Sequence, residues 1–254
     1  MPNGLRGKRV LVTRAAGQNA KLSAALTQYG ATPVEFPTIR IVPPADFSPL
    51  DDAIARLDTY HWLILTSVNG VIHFWLRLRA AKKSAADLQS LKIAAVGPAT
   101  AAELQKLGVQ VDHIPPKHVA ESLLATIPVT TGERVLYPTS QIARPLLAAG
   151  LRGKGAIVNR VTAYRTEPVT EAGNLPEILP ALDVLTFTSA STARNFVTLL
   201  NTENPAAAIG ETVVACIGPV AAETARSVGL PVHIVPRTFT IAGMVAAMER
   251  YFED

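Results

Sequence analysis

Apolar residues along this chain come in short, nearly unbroken runs separated by stretches of helical spacing. The run KRVLVTR at 8–14 is brief, β-branched and bounded by charge, which predicts a buried strand. From 18 to 29, Ala20, Leu22, Ala25, Leu26 and Tyr29 fall near a helical repeat, and Gly30 follows as a C-cap. ATPVEFP at 31–37 then returns to strand. Such a strand–helix–strand start implies a parallel sheet with a right-handed crossover.

The same alternation continues. FPTIRIVPP at 36–44 carries prolines at 37, 43 and 44, which excludes a central strand and allows an edge or bridging one. A helix is expected over 51–57, then a continuous apolar strand WLILTS at 62–67, as where helices cover both faces of a sheet. A helix to about 79, a strand at 92–96, a helix at 99–107 stopped by Gly108, a strand VQVDHIP at 109–115 and a short helix at 121–127 complete the first half.

From there the pattern starts again. ERVLYPT at 133–139 repeats KRVLVTR, and Gly30-Ala31 recurs as Gly155-Ala156, an offset of 125. Thr66, Ser67 and Phe74 recur as Thr188, Ser189 and Phe196, an offset of 122. Gly97-Pro98, Gly108 and Pro115 recur as Gly218-Pro219, Gly229 and Pro236, an offset of 121. Three registers drifting by so little indicate an internal duplication. VTAYRTEP at 161–168 holds the place of FPTIRIVPP, with Arg40 at Arg165 and Pro43 at Pro168. If both segments cross between domains, 45–160 form one continuous α/β domain. Residues 1–36 and 169–254 then form a discontinuous second one, and 37–44 and 161–168 are the bridges.

Composition narrows the function. At 254 residues, 48% hydrophobic and 17% charged, the chain has the profile of a globular protein of one or two domains. The net charge of +4 comes from scattered residues, which argues against a clustered nucleic-acid surface and suits a small acidic ligand. A single cysteine, Cys216 in VVACIG, excludes an intramolecular disulfide and reads as a small buried hydrophobe. Nothing reaches the roughly 18 consecutive apolar residues of a membrane span. The N-terminal MPNGLRGKRVLVTR lacks a long apolar segment, so no signal peptide and a cytoplasmic location are expected.

Familiar chemical signatures are missing: no GxGxxG after a strand, no GxxxxGK[ST], no GxSxG. The histidines at 61, 73, 113, 118 and 233 show no metal-ligand spacing, so no metal is expected. What recurs is small polar residues at strand ends: Thr13-Arg14, Thr66-Ser67, Gly97 to Thr100, Thr139-Ser140, Thr188-Ser189 and Gly218-Pro219. In open α/β sheets ligands bind at that edge, where helix N-terminal amides and hydroxyls accept anions. Helix N-capping explains any single pair equally well. Taken together they predict an interdomain cleft for a polyanion. Tyr164 is either a packing aromatic or a phenol facing that cleft; Arg40 and Arg165 alternate with their neighbours as exposed residues would.

In their order and spacing, VLVTR, ILTSVNGV, IAAVGPATAAEL, YPTSQIARPLL, VTAYRT, FTSAS and CIGPVAAETA resemble the uroporphyrinogen-III synthase family over nearly the whole chain. The resemblance implies two flavodoxin-like α/β domains joined by a two-stranded bridge. It implies a cofactor-independent lyase that cyclises the linear tetrapyrrole hydroxymethylbilane to uroporphyrinogen III, losing water and inverting ring D, as a cytoplasmic monomer. The family's bridge tyrosine falls on Tyr164, a proton donor to the leaving hydroxyl. Its Thr-Ser turns fall on Thr66, Ser67, Thr188 and Ser189 and its VGPAT hydroxyl on Thr100, as substrate contacts beside Thr13, Arg14, Gly97, Thr139, Ser140 and Gly218 at the other strand ends. Many members carry threonines after the second Gly-Pro, where this chain has Val220 and Ala221, so that side falls to backbone amides, Ser189 and Ser191. Two other classes compete. A solute-receptor-like binding protein is usually exported. A pair of receiver-like domains would need acidic residues at strand ends, where this chain has Thr, Ser, Arg and Gly.

Overall fold

Strand positions follow the apolar runs closely, because a strand covered on both faces has to be apolar at every position. A computed structural model describes residues 4–15 and 17–253. Among them the strands are β1 (Arg9–Val12), β2 (Thr32–Glu35), β3 (Ile39–Val42), β4 (Trp62–Leu65), β5 (Lys92–Ala95), β6 (Arg134–Ser140), β7 (Ile157–Pro168), β8 (Val184–Phe187) and β9 (Val213–Cys216). The chain divides into two compact units. One runs up to Arg40 and resumes at Glu167; the other is Ile41–Thr166.

In the first unit the sheet order is β2-β1-β8-β9, all parallel, extended past β9 by a parallel bridge from Ala215 to Ile234. Its two faces carry separate cores. Leu11, Leu185, Phe187 and Val214 pack with Phe196 on one side, while Val10, Val12, Val184 and Ala215 meet Leu22, Leu26 and Met248 on the other. This alternation is the period of two expected of a strand between helical layers.

The second unit holds a sheet of order β3-β7-β6-β4-β5. Pairs β7-β6, β6-β4 and β4-β5 are parallel, and a bridge from Ala94 to His113 extends it. Starting from β6, the run β7-β6-β4-β5 has the arrangement of β2-β1-β8-β9. Leu63, Leu65 and Leu136 face a core with Phe74 and Leu78; Trp62, Ile64 and Val135 face another with Leu147 and Leu151. Both units are therefore doubly wound α/β sheets, the fold class expected.

Matching side chains close the matching edges. His61, just before β4, accepts through Nδ1 from the Arg134 amide at 3.0 Å. Asp183, just before β8, accepts from the Arg9 amide at 2.8 Å. Each lends a side-chain acceptor to the first amide of the neighbouring strand.

Two expectations change. VQVDHIP does not form a strand and contributes one bridge at His113. There the Asp112 carboxylate, not a strand carbonyl, takes the Ile93 amide at 2.7 Å, and Pro115-Pro116 ends any further pairing. In the first unit His233 does the same, its Nδ1 accepting from the Val214 amide at 2.9 Å. The segment 161–168 is not a separate strand; it continues β7 from Ile157. Near its end, the Val169 amide donates to Thr38 O at 3.0 Å, Arg40 pairs with Glu167 at 3.1 Å, and Arg165 Nε donates to Pro43 O at 3.1 Å. Partner numbers fall on one segment as they rise on the other, an antiparallel course.

Candidate active site

The hydroxyl Ser67 and the phenol Tyr164 meet in the second unit because of how β4, β6 and β7 end. β4 stops at Leu65, and Ser67 adopts an extended backbone as N-cap of the helix Val68–Ala80. Its Oγ accepts the Gly70 amide at 3.0 Å, satisfying one of the amides a helix leaves unpaired at its start. A Cβ on Gly70 would come to 3.3 Å from that oxygen, so the glycine leaves the cap its room. β6 lies between β4 and β7. Its register with β7 slips between Thr139 and Ser140, which face Thr162 and Tyr164 and leave Ala163 unpaired. Such a bulge re-aims the side chain beside it. Tyr164 thereby reaches Ser67, and the two hydroxyls share a hydrogen bond of 3.0 Å.

A third ring joins them. His73, on the same helix as the Ser67 cap, stacks on Tyr164 with centroids 5.5 Å apart and planes 23° apart. Tyr164 is 7% exposed. Burial pushes its phenol above the usual tyrosine range, the Ser67 hydrogen bond pulling back and Tyr137 adding to the rise. Burial also lowers the His73 imidazole, which favours its neutral form. The arrangement is a phenol bonded to the cap of a helix terminus and held against an imidazole ring.

Other residues expected at strand ends divide into exposed and committed ones. Thr66 lines a cavity of about 310 Å³ with Val96, His118, Tyr137 and Arg144, at the carboxyl ends of β4, β5 and β6. Gly97 caps the helix Pro98–Lys106 at φ +92°, a left-handed conformation that favours glycine, beneath the His118 side chain. Thr100 is buried within that helix, and Thr139 is buried with its Oγ1 donating to the Tyr137 hydroxyl at 3.3 Å. Ser140 is buried at the bulge, accepting weakly from the Ile142 amide at 3.4 Å.

In the first unit, Thr13 is a correction. It is wholly buried, and its Oγ1 donates to Thr186 O at 2.7 Å, so the hydroxyl ties β1 to β8. Arg14 beside it is different. Its Nε is buried with no hydrogen-bond partner among the described residues, and burial lowers its pKa. Ser189 caps the helix Ala190–Leu200 in a reciprocal box with Thr192, and its Oγ lies 3.0 Å from that of the exposed Ser191. Thr188 is half-buried next to it. Gly218 caps the helix Pro219–Ser227, with the Phe239 ring 3.3 Å from where a Cβ would sit. Ala221 is buried and Val220 exposed, so the backbone there offers the polar groups.

Sequence reasoning missed His73, whose ring shows its purpose only when β7 is placed beside its helix. It also missed His118 and Phe239, which stand at the same offset of 121 as the glycines they cover.

The family model for uroporphyrinogen-III synthase HemD matches residues 20–246. The chain belongs to the uroporphyrinogen-III synthase family. The uroporphyrinogen-III synthase of Synechococcus elongatus is 36% identical over 97% of this chain and 96% of its own. A putative uroporphyrinogen-III synthase of Methanocaldococcus jannaschii is 30% identical, covering 93% and 96%. A uroporphyrinogen III synthase of Thermus thermophilus shares the fold at TM-score 0.62 and 21% identity, over 97% of this chain and 99% of that one. The Helicobacter pylori synthetase does so at 0.60 and 18%, over 94% and 97%. Uroporphyrinogen-III synthases are cyclising lyases of tetrapyrrole biosynthesis. No helix among the described residues is long and apolar enough to cross a membrane, and no three of their His, Cys, Asp or Glu side chains cluster as a metal site.

Proposed function

We propose that this chain cyclises hydroxymethylbilane to uroporphyrinogen III, with Tyr164 as the acid that lets the terminal hydroxyl leave as water. The observation that carries this reading is the 3.0 Å hydrogen bond between Tyr164 and Ser67, with Ser67 already accepting from the Gly70 amide. With Ser67 donating to the phenol oxygen, the phenol proton is left free to give away. The helix terminus behind Ser67 carries partial positive charge, which favours the anionic phenolate left when that proton goes. A raised pKa keeps the phenol protonated at neutral pH, the state a donor needs.

The chemistry balances simply. As the terminal C–O bond breaks, the pyrrole ring supplies the electron pair, Tyr164 supplies the proton, and water departs. Loss of the pyrrole N–H proton gives the azafulvene and returns a proton to the phenolate. Ring D then attacks through its substituted carbon, and the spiro intermediate fragments and recloses with that ring inverted. Holding the open chain curled for this attack is a matter of positioning, which converts a choice of closures into one.

Polar groups at the strand ends of each unit are of the kind that accepts carboxylates. In one unit these are Thr66, Ser67, Ser140 and the amides after Gly97; in the other, Arg14, Thr188, Ser189, Ser191 and the amides after Gly218. Arg14 is the strongest of them, since a charge-assisted hydrogen bond is worth roughly twice a neutral one. The reading places the enzyme in the cytoplasm as a monomer, without cofactor, nucleic-acid or membrane partner. Its scattered basic residues support a small polyanion over nucleic acid.

Chromatography of the product from hydroxymethylbilane tests the proposal. Wild type should accumulate isomer III. Tyr164→Phe should lose isomer III formation by about 10²-fold or more, in line with general acid catalysis, while its thermal melt stays cooperative. Wild-type turnover by that variant removes Tyr164 from the mechanism.

A further inference from the structure

We infer that His73 is a positioning residue for Tyr164, its ring holding the phenol in the plane from which the hydroxyl reaches Ser67. The inference rests on the reading of Tyr164 as the proton donor. A tyrosine on a strand can swing about χ1 and χ2, and a donor that swings is aligned only part of the time. Here Ser67 fixes the hydroxyl at one end, and His73 lies nearly parallel over the ring at 5.5 Å and 23°, within the range of an offset stack. Ser67 and His73 belong to the same end of one helix, the cap and the second turn, so a single rigid element holds the phenol at two points.

The first unit supplies the comparison. At the offset of 122 that relates Ser67 to Ser189, His73 corresponds to Asn195; at the offset of 125 that relates Gly30 to Gly155, Tyr164 corresponds to Ile39. The capping serine is kept in both. Asn195 turns its Nδ2 to the Thr38 carbonyl at 3.2 Å, next in sequence to Ile39. Phenol and imidazole are thus present together in one unit and replaced together in the other.

Steady-state kinetics on the full-length protein with hydroxymethylbilane separates the roles, measuring kcat, KM and the ratio of isomer III to isomer I. Losing a stack of this kind should lower kcat of His73→Ala by about fivefold to tenfold. KM should stay within about twofold and the share of isomer I should rise. His73→Phe keeps a flat ring without ring nitrogens and should recover most of kcat. The double variant with Tyr164→Phe should be no slower than Tyr164→Phe alone. Wild-type kcat in His73→Ala, no recovery in His73→Phe, or a further equal loss in the Tyr164→Phe background would each overturn the inference. Should His73→Ala fail to fold, His73→Asn, the residue of the other unit, takes its place in the same comparison. If Tyr164→Phe is impaired while His73→Ala is not, only the role of His73 falls. If Tyr164→Phe is itself unimpaired, the proton-donor reading falls first.

Discussion

A buried hydroxyl and a buried thiol meet opposite fates in this fold, though burial raises both. Tyr164 keeps a polar partner in Ser67, the N-cap of a helix, so its hydroxyl stays hydrogen-bonded. Cys216 sits in β9 at 0% exposure, its thiol pushed up to about 12 by burial, with Arg226 offsetting only part. A thiol held so high is neither a nucleophile nor a ligand at neutral pH. Iodoacetamide at pH 8 should therefore leave the native protein unlabelled and modify it once denatured; labelling of the folded protein would contradict this. Linkage sets a matching pH dependence. The folded value lies above the unfolded one, near 8.5, so the stabilisation is complete below that pH and is lost as pH rises toward 12. Between pH 8 and 10 the urea midpoint should fall more for wild type than for Cys216→Ala. At this scale the sequence was a fair guide to Cys216, because an apolar run surrounds it. It was a poor guide to His73, whose place beside Tyr164 depends on what stands opposite its helix.

Elements were legible where one physical demand dominated. Continuous apolar runs announced β4, β6 and β8, and the Gly-Pro pairs announced the starts of two helices. The failures came where a side chain replaced a backbone group. Asp112 takes the Ile93 amide that a strand carbonyl would otherwise accept, so the expected strand at 109–115 contributes a single bridge, and His233 does the same for Val214. Nor does periodicity reveal a bulge, so the aim of Tyr164 was open until β6 and β7 were in register. The capping serines show one position doing unequal work. Ser67→Ala and Ser189→Ala should each cost about 1 kcal/mol of helix stability, the usual value of an N-cap. Thermal melts should show similar losses, while kcat falls steeply only for Ser67→Ala, which also loses the contact to Tyr164. Equal kcat in the two variants would mean that Ser67 is a cap and nothing more.

Each unit is built on one sheet with apolar cores on both faces, and four strands of the five-stranded sheet follow the order of the four-stranded one. Repeats at three nearby offsets made two similar α/β units an expectation from sequence, and four strands of each unit share one order. What the repeats could not tell is how the chemistry differs between the copies. Because the core of Ile41–Thr166 is drawn from its own residues, a fragment of 41–166 should unfold cooperatively in a thermal melt followed by circular dichroism. A broad, featureless melt would show that it needs the remainder of the chain.

The pairing of Val10 with Val184 has a consequence for synthesis. As the ribosome emits this chain, β1 and β2 appear first but have no third strand to join. The whole of Ile41–Thr166 is translated before β8 arrives. At the usual 5–20 residues per second the opening forty residues must wait roughly seven to thirty seconds. The later-numbered unit can fold while the earlier one is still a solvent-exposed, unfinished sheet edge. That interval, not the finished enzyme, is when the nascent chain is most open to aggregation and most in need of a chaperone.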